Sequence, residues 1–187
     1  MGESFTLQSR EVLYDKSWGK VRIDQVDFDS GIQQEFLALD DGDGVQIAAI
    51  TDKDEIILVD LSRYAIGKKN FLELPGGGVG QLPIIEAGRK ELAEETGLWG
   101  EHWDFLCRRP KAAHKNSAWS TIFLVRGIRE LTKEERQKYP PDPLETLNSV
   151  LRIPLEEAFA EVDVSIFDSM TCGVIDRLHI MRLQGRL

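Results

Sequence analysis

Cysteine is almost missing from this chain. Its two copies, Cys107 and Cys172, lie far apart, so no disulfide framework is expected and a reducing cytoplasm is the default compartment. Long apolar runs are absent too, and no segment is expected to span a membrane. The opening MGESFTLQSREV has neither a basic start nor an apolar stretch behind it, so no signal peptide is expected. Positive charge is in deficit: 23 Lys and Arg stand against 32 Asp and Glu, a net −9. That balance argues against a nucleic-acid backbone as the main partner. It leaves a nucleotide open, because a bound metal ion inverts the local charge. Internal repeats and low-complexity tracts are missing as well.

What is present suits one globular domain with a small appendage: 187 residues, 42% of them hydrophobic. Residues 1–44 alternate as strands do. Lys20–Val26 and Gln33–Leu39 read as a pair joined across Asp29-Ser30-Gly31, and Asp40–Gly44 follows as a loop. A piece this small cannot bury a core alone, so it is expected to pack on the rest of the chain or on a partner subunit. Its conspicuous aromatics are Trp18 and Phe36, for which core packing is the plain reading. Residues 45–187 would form the main domain. Val45–Ile50 and Glu55–Val59 are near-continuous apolar runs, as in a sheet covered on both faces. Later strands are expected at Trp103–Cys107 and Thr121–Arg126. Between them Arg108–Ser117 is the most basic stretch of the chain, suited either to phosphate contact or to plain solvent exposure. A short helix over Leu131–Lys138 ends at the break Tyr139–Pro143. Ile153–Phe159 reads as a strand end running into a helix. From Ser165 to Leu183, Ile166, Met170, Val174, Leu178 and Met181 form one helical stripe. The expected fold class is α/β (α+β), helices on the faces of a mixed sheet.

The most informative stretch is Leu72–Leu98. Pro83 suits a helix start and Gly97 a C-terminal cap, with only Gly88 as a breaker between them. On that helix Glu91, Glu94 and Glu95 fall at i, i+3 and i+4, so three carboxylates share one face. They stand in the last turns, where the helix dipole disfavours acids. Such a face is either a solvated surface or a seat for a hard divalent cation, whose preferred ligands are carboxylate oxygens. The run Gly76-Gly77-Gly78 just upstream would let backbone approach the same place.

The joint spacing of these residues resembles the Nudix box, which runs Gly, five residues, Glu, seven residues, Arg-Glu-apolar-any-Glu-Glu-any-Gly-apolar. Gly76 opens it, and Lys90-Glu91-Leu92-Ala93-Glu94-Glu95-Thr96-Gly97-Leu98 closes it. Two positions depart: the middle glutamate falls on Leu82, and the arginine is Lys90, which keeps the charge but not the planar fork. Leu82 also leaves the helix start without a side-chain cap.

Within that family, Val59–Tyr64 and Phe71–Gly76 are similar to the ADP-ribose pyrophosphatase branch. The resemblance implies a mixed β-sheet sandwiched by helices, with a β-rich N-terminal subdomain that builds a homodimer. It implies Mg²⁺ or Mn²⁺ held by Gly76, Glu91, Glu94 and Glu95, with Lys90 orienting the carboxylates. Arg63 would contact phosphate, and Trp18 and Phe36 would stack on adenine. The branch takes a catalytic glutamate from a later acidic loop, for which Glu145 is the nearest match with Asp142 behind it; the alternative base is one of the helix glutamates, so that Glu94 and Glu95 belong to the catalytic set with Lys90 and Glu145. The implied activity is hydrolysis of a nucleoside diphosphate linked to another moiety, ADP-ribose foremost. The competing expectation, motivated by Leu82 and Lys90, is a domain that binds nucleotide as a sensor or scaffold without cleaving it.

Overall fold

The computed structural model describes residues 4–143 and 146–187. Four strands build the sheet that carries the core: β4 (Gly44–Ala49), β7 (Gly76–Gly78), β8 (Leu98–Pro110) and β9 (Trp119–Glu130), in the order β7-β4-β9-β8. β4 runs parallel to β9 and antiparallel to β7, so the sheet is mixed. Its central strands are apolar on both faces because both are covered. Val45, Ile47 and Ala49 of β4 join Phe123 and Val125 of β9 under helix α1 (Ile84–Thr96), with Leu92 and Ala87. The alternate residues Ala48, Ile50, Ile122 and Leu124 face the other way, against α3 (Leu155–Glu161) and α4 (Ser169–Leu183) through Leu155, Val174, Ile175 and Leu178. A second sheet, β10-β5-β6, is built from β5 (Glu55–Arg63), β6 (Lys68–Glu73) and β10 (Leu147–Pro154). A short helix α2 (Lys133–Lys138) starts with a capping box between Thr132 and Glu135.

The third sheet stands apart. It holds β1 (Phe5–Lys16), β2 (Gly19–Phe28) and β3 (Gln33–Asp40), all antiparallel in that order. β2 and β3 fall where the alternation places them, whereas β1 does not announce itself. Its pairing slips between Leu7 and Ser9 and again between Val12 and Tyr14. Each slip moves the inward set to the other face, so no period of two survives along the strand. Every residue of β1 is exposed. The sheet is tied to the main body at its β3 end, where the Leu39 amide donates to the Lys115 carbonyl at 2.6 Å and the Ser117 amide to the Leu39 carbonyl at 3.0 Å. Within it, Asp24 is buried and receives Arg10 at 2.7 Å and Arg22 at 3.1 Å. Those hydrogen bonds, Arg10's above all, hold the Asp24 carboxyl below the usual carboxylate range.

The stretch Arg108–Ser117 is no single basic loop. Arg108, Arg109 and Pro110 end β8, and successive strand residues point to opposite faces. Arg108 donates to Asp43 at 2.8 Å and lies 5.2 Å above the Trp119 ring, while Lys111 and Asn116 reach Asp41 at 3.2 and 3.0 Å. The basic residues are thus matched to the acidic turn Asp40–Asp43. Arg109 goes to α4 instead. Among the described residues no helix is long and apolar enough to cross a membrane.

Candidate functional site

Helix α1 forms where the sequence places it, and the reasons are local. Pro83 caps its start with no side-chain bond, its carbonyl accepting the Ala87 amide. Gly97 closes it in the left-handed conformation at φ 71°, its amide donating to Ala93. Gly88 is not a breaker but a contact: a methyl there would sit 2.9 Å from the Trp103 ring. The dipole penalty of three acids near the C-terminus meets a counter-charge that the sequence did not disclose. Arg136 of α2 donates to the Ala93 carbonyl and lies against Gly97, placing a guanidinium on the negative end of the helix.

The acidic face of α1 is turned inward, towards the glycine strand β7. Glu91 and Glu95, one turn apart, are 8% and 3% exposed. Burying a carboxylate is costly without compensation, and each one has it. Glu95 accepts the Gly76 amide at 2.8 Å. Glu91 lies against Gly77, where a methyl group would come within 2.6 Å of its carboxyl carbon. Glu94 accepts from Lys90 at 2.5 Å, and the same ammonium is 3.7 Å from Glu91. The Glu94 hydrogen bond first, and then the charges of Glu91, Glu94 and Asp142, raise the Lys90 pKa above its ordinary value. Glu145, the expected base, lies outside the described residues.

In kind, this set suits a hard cation: three carboxylates on one face, beside a glycine strand whose backbone is bare. In arrangement, each carboxylate rests on a local partner. Among the described residues no three His, Cys, Asp or Glu side chains converge as a metal-binding group. Lys90 holds the position between Glu91 and Glu94 that a cation shared by them would take.

The remaining candidates are spread more widely. Trp18 is 71% exposed in the β1–β2 turn, 6.4 Å from the Tyr14 ring. It borders a cavity of about 510 Å³ with Lys16, Lys20, Asp41, Gly78 and Gly80, so it shares a cleft with the end of the glycine strand. Phe36 does not join it. It pairs with Asp24 in mid-sheet and stands 6.2 Å from Phe28, half-buried. Arg63 ends β5 and grips Glu73 with both prongs, Nε to Oε1 at 2.5 Å and Nη2 to Oε2 at 2.7 Å.

No protein-family model matches the chain, and no curated protein matches it. A solved structure does. It is described as "Crystal structure of ADP compounds hydrolase" and is similar over 98% of this chain and 97% of its own, with a TM-score of 0.78 and 19% identity. The fold is of the Nudix type. At that identity the likeness carries the architecture alone. α1 carries the carboxylates singled out in the sequence, and the two residues that depart from the expected spacing have visible settings. Leu82 is 46% exposed ahead of the helix start. Lys90, in place of the fork of an arginine, reaches two carboxylates as a single point charge.

Proposed function

We propose that this protein is a divalent-metal-dependent hydrolase that cleaves the pyrophosphate of a nucleoside diphosphate linked to another moiety, ADP-ribose foremost, giving AMP and ribose 5-phosphate. The observation that carries the reading is the buried acidic face of α1 packed on the glycine strand of a Nudix-type fold. Glu91, Glu94 and Glu95, with the Gly76 carbonyl, would hold Mg²⁺ or Mn²⁺. Bound there, the ion supplies neutralisation of the pyrophosphate charge and a lower pKa for the attacking water. Lys90, which pairs with Glu94 and lies beside Glu91, would orient these carboxylates. Glu95 keeps its hold on the Gly76 amide, which fixes the glycine strand against the helix. Arg63, steadied by Glu73, contacts a phosphate. Trp18 offers its face to the base at the cleft beside Gly78 and Gly80. Glu145, or one of the helix glutamates, would take the water's proton.

The test is phosphate-ester release from ADP-ribose, UDP-glucose, GDP-mannose, diadenosine polyphosphates and NADH, with and without Mg²⁺ or Mn²⁺, on the wild type and on Trp18→Ala. Metal-dependent cleavage of at least one member is expected. Trp18→Ala is expected to weaken adenine nucleotides roughly tenfold while leaving ribose phosphates, which carry no base, nearly unchanged. Silence across the panel alongside measurable binding would favour a nucleotide sensor, a reading supported by the Lys90 ammonium already standing between Glu91 and Glu94.

The same reading includes a homodimer through the N-terminal sheet. Phe5, Leu7, Val12, Leu13 and Tyr14 of β1 are all at least 39% exposed, more apolar surface than one strand of a lone chain usually leaves in water. Sedimentation is expected to give twice the 21.2 kDa chain mass, and Leu13→Asp to give the monomer. A wild-type monomer at micromolar concentration would remove the dimer.

A further inference from the structure

The sheet face opposite the acidic helix carries a second concave site, built from arginines. Arg109 departs from its neighbour Arg108 and lies on α4, where its Nη2 donates to the Gly173 carbonyl at 3.2 Å. A methyl on Gly173 would come within 2.3 Å of Arg109 Nη1. Glycine is among the least favourable residues in a helix interior, and here it is what lets a guanidinium lie on the helix backbone. Arg177 follows Gly173 by four residues and so presents on the same side of α4. Arg186 comes beyond the helix end, its Nη1 donating to Gln184 at 3.1 Å. Arg109, Arg177 and Arg186 border one cavity of about 430 Å³, with Asp176 and Gln184 on its walls. Three guanidinium groups against one carboxylate make this a positive hollow in a chain of net charge −9.

We propose that this cavity binds a small phosphate-bearing anion, at a place separate from α1. Guanidinium forks match the oxygens of a phosphate two at a time. The volume falls within the roughly 300–1,000 Å³ range of small-molecule sites. Long polyanions are disfavoured, because the rest of the surface repels them. Asp176 narrows the class further: it repels a ligand charged all round and accepts from a hydroxyl, so a phosphate on a hydroxylated body suits the hollow better than free polyphosphate. The C-terminal end of α4 turns its negative dipole to the same region, so the affinity has to come from the arginines. No divalent ion is needed, since the cations are side chains.

The experiment is calorimetric titration with ribose 5-phosphate, and with inorganic pyrophosphate, in the presence of EDTA so that no divalent ion serves the acidic helix. Saturable binding of ribose 5-phosphate is expected, tighter than that of pyrophosphate. Arg177→Ala/Arg186→Ala removes two exposed side chains and leaves the Arg109–Gly173 contact that α4 packs on. It is expected to weaken binding roughly tenfold or more. Lys53→Ala/Lys133→Ala removes the same charge at two exposed positions elsewhere and is expected to change nothing. Glu94→Gln is also expected to bind as the wild type does, which separates this site from the proposed hydrolase centre whether or not that centre is active. No binding by the wild type overturns the proposal. So does equal weakening in both double variants, which would mean bulk charge, or retention in Arg177→Ala/Arg186→Ala.

Discussion

Glu95→Gln is expected to lower metal-dependent turnover by at least about a hundredfold while the protein melts within a few degrees of the wild type. The two halves of that expectation come from different properties of one side chain. Structurally, Glu95 is an acceptor: its Oε2 takes the Gly76 amide at 2.8 Å. A glutamine has the same shape and keeps a carbonyl oxygen for that amide, so the clasp between α1 and β7 survives. What the fold asks of this position, 3% exposed, is an acceptor for that amide, and the glutamine carbonyl supplies one. Chemically, the charge is everything, because an amide oxygen is a far weaker ligand for a hard cation than a carboxylate. Loss of a partner merely behind the ligands already costs roughly ten- to a hundredfold in metal affinity or activity. The measurements are initial rates in Mg²⁺ or Mn²⁺, Mn²⁺ titration and thermal melts. The titration applies even if the bound nucleotide is not cleaved. Unchanged Mn²⁺ affinity and unchanged rate would leave Glu95 as a backbone clamp and nothing more.

How much of this was readable beforehand depended on whether a feature was local. α1 was legible because its signals are all within one stretch: Pro83, the i, i+3, i+4 carboxylates and Gly97. β4 and β5 were legible because a strand covered on both faces needs apolar residues at every position, and few other segments do. The stripe from Ile166 to Met181 behaved likewise, although its helix begins at Ser169 and Ile166 is buried just ahead of it. Pairwise features were not legible. Arg108 and Arg109 read as one basic patch until the alternation of β8 sent one to Asp43 and the other to Gly173. The positions of Trp18 and Phe36 were not legible either: Trp18 stands in the β1–β2 turn, while Phe36 pairs with Asp24 farther along the sheet. Arg136, which offsets the dipole cost at the end of α1, comes from a helix some forty residues on. Lys90 was expected to orient carboxylates; its pairing with Glu94 follows from the i, i+4 spacing, whereas its approach to Glu91 at 3.7 Å is visible only in the structure.

The glycine strand offers the sharpest separation of fold from site, because two adjacent glycines are required for different reasons. A methyl on Gly76 would lie 2.2 Å from the Val45 carbonyl oxygen and 2.9 Å from the Gln46 Cα. Both are backbone atoms of a strand hydrogen-bonded on either side, and neither can swing away. Gly76→Ala is therefore expected to push β7 off β4, at a cost of roughly 3 kcal/mol, the upper end of what overpacking incurs. For a chain of this size that corresponds to a fall in Tm of roughly 6–12 °C. The three atoms nearest to a methyl on Gly77 are those of the Glu91 carboxylate, at 2.6 to 2.9 Å. A side-chain tip can rotate out of the way, so Gly77→Ala is expected to melt within about 3 °C of the wild type, at most roughly 1 kcal/mol. What it loses is the seat of Glu91, and Mn²⁺ affinity is expected to fall roughly tenfold or more. Melting curves and Mn²⁺ titrations on the two variants decide the matter together. A Gly76→Ala protein as stable as the wild type would mean that β7 does not lie on β4 as closely as described. A Gly77→Ala protein with normal Mn²⁺ affinity would mean that Glu91 holds no cation, and the acidic face would then rest on Glu94 and Glu95 alone.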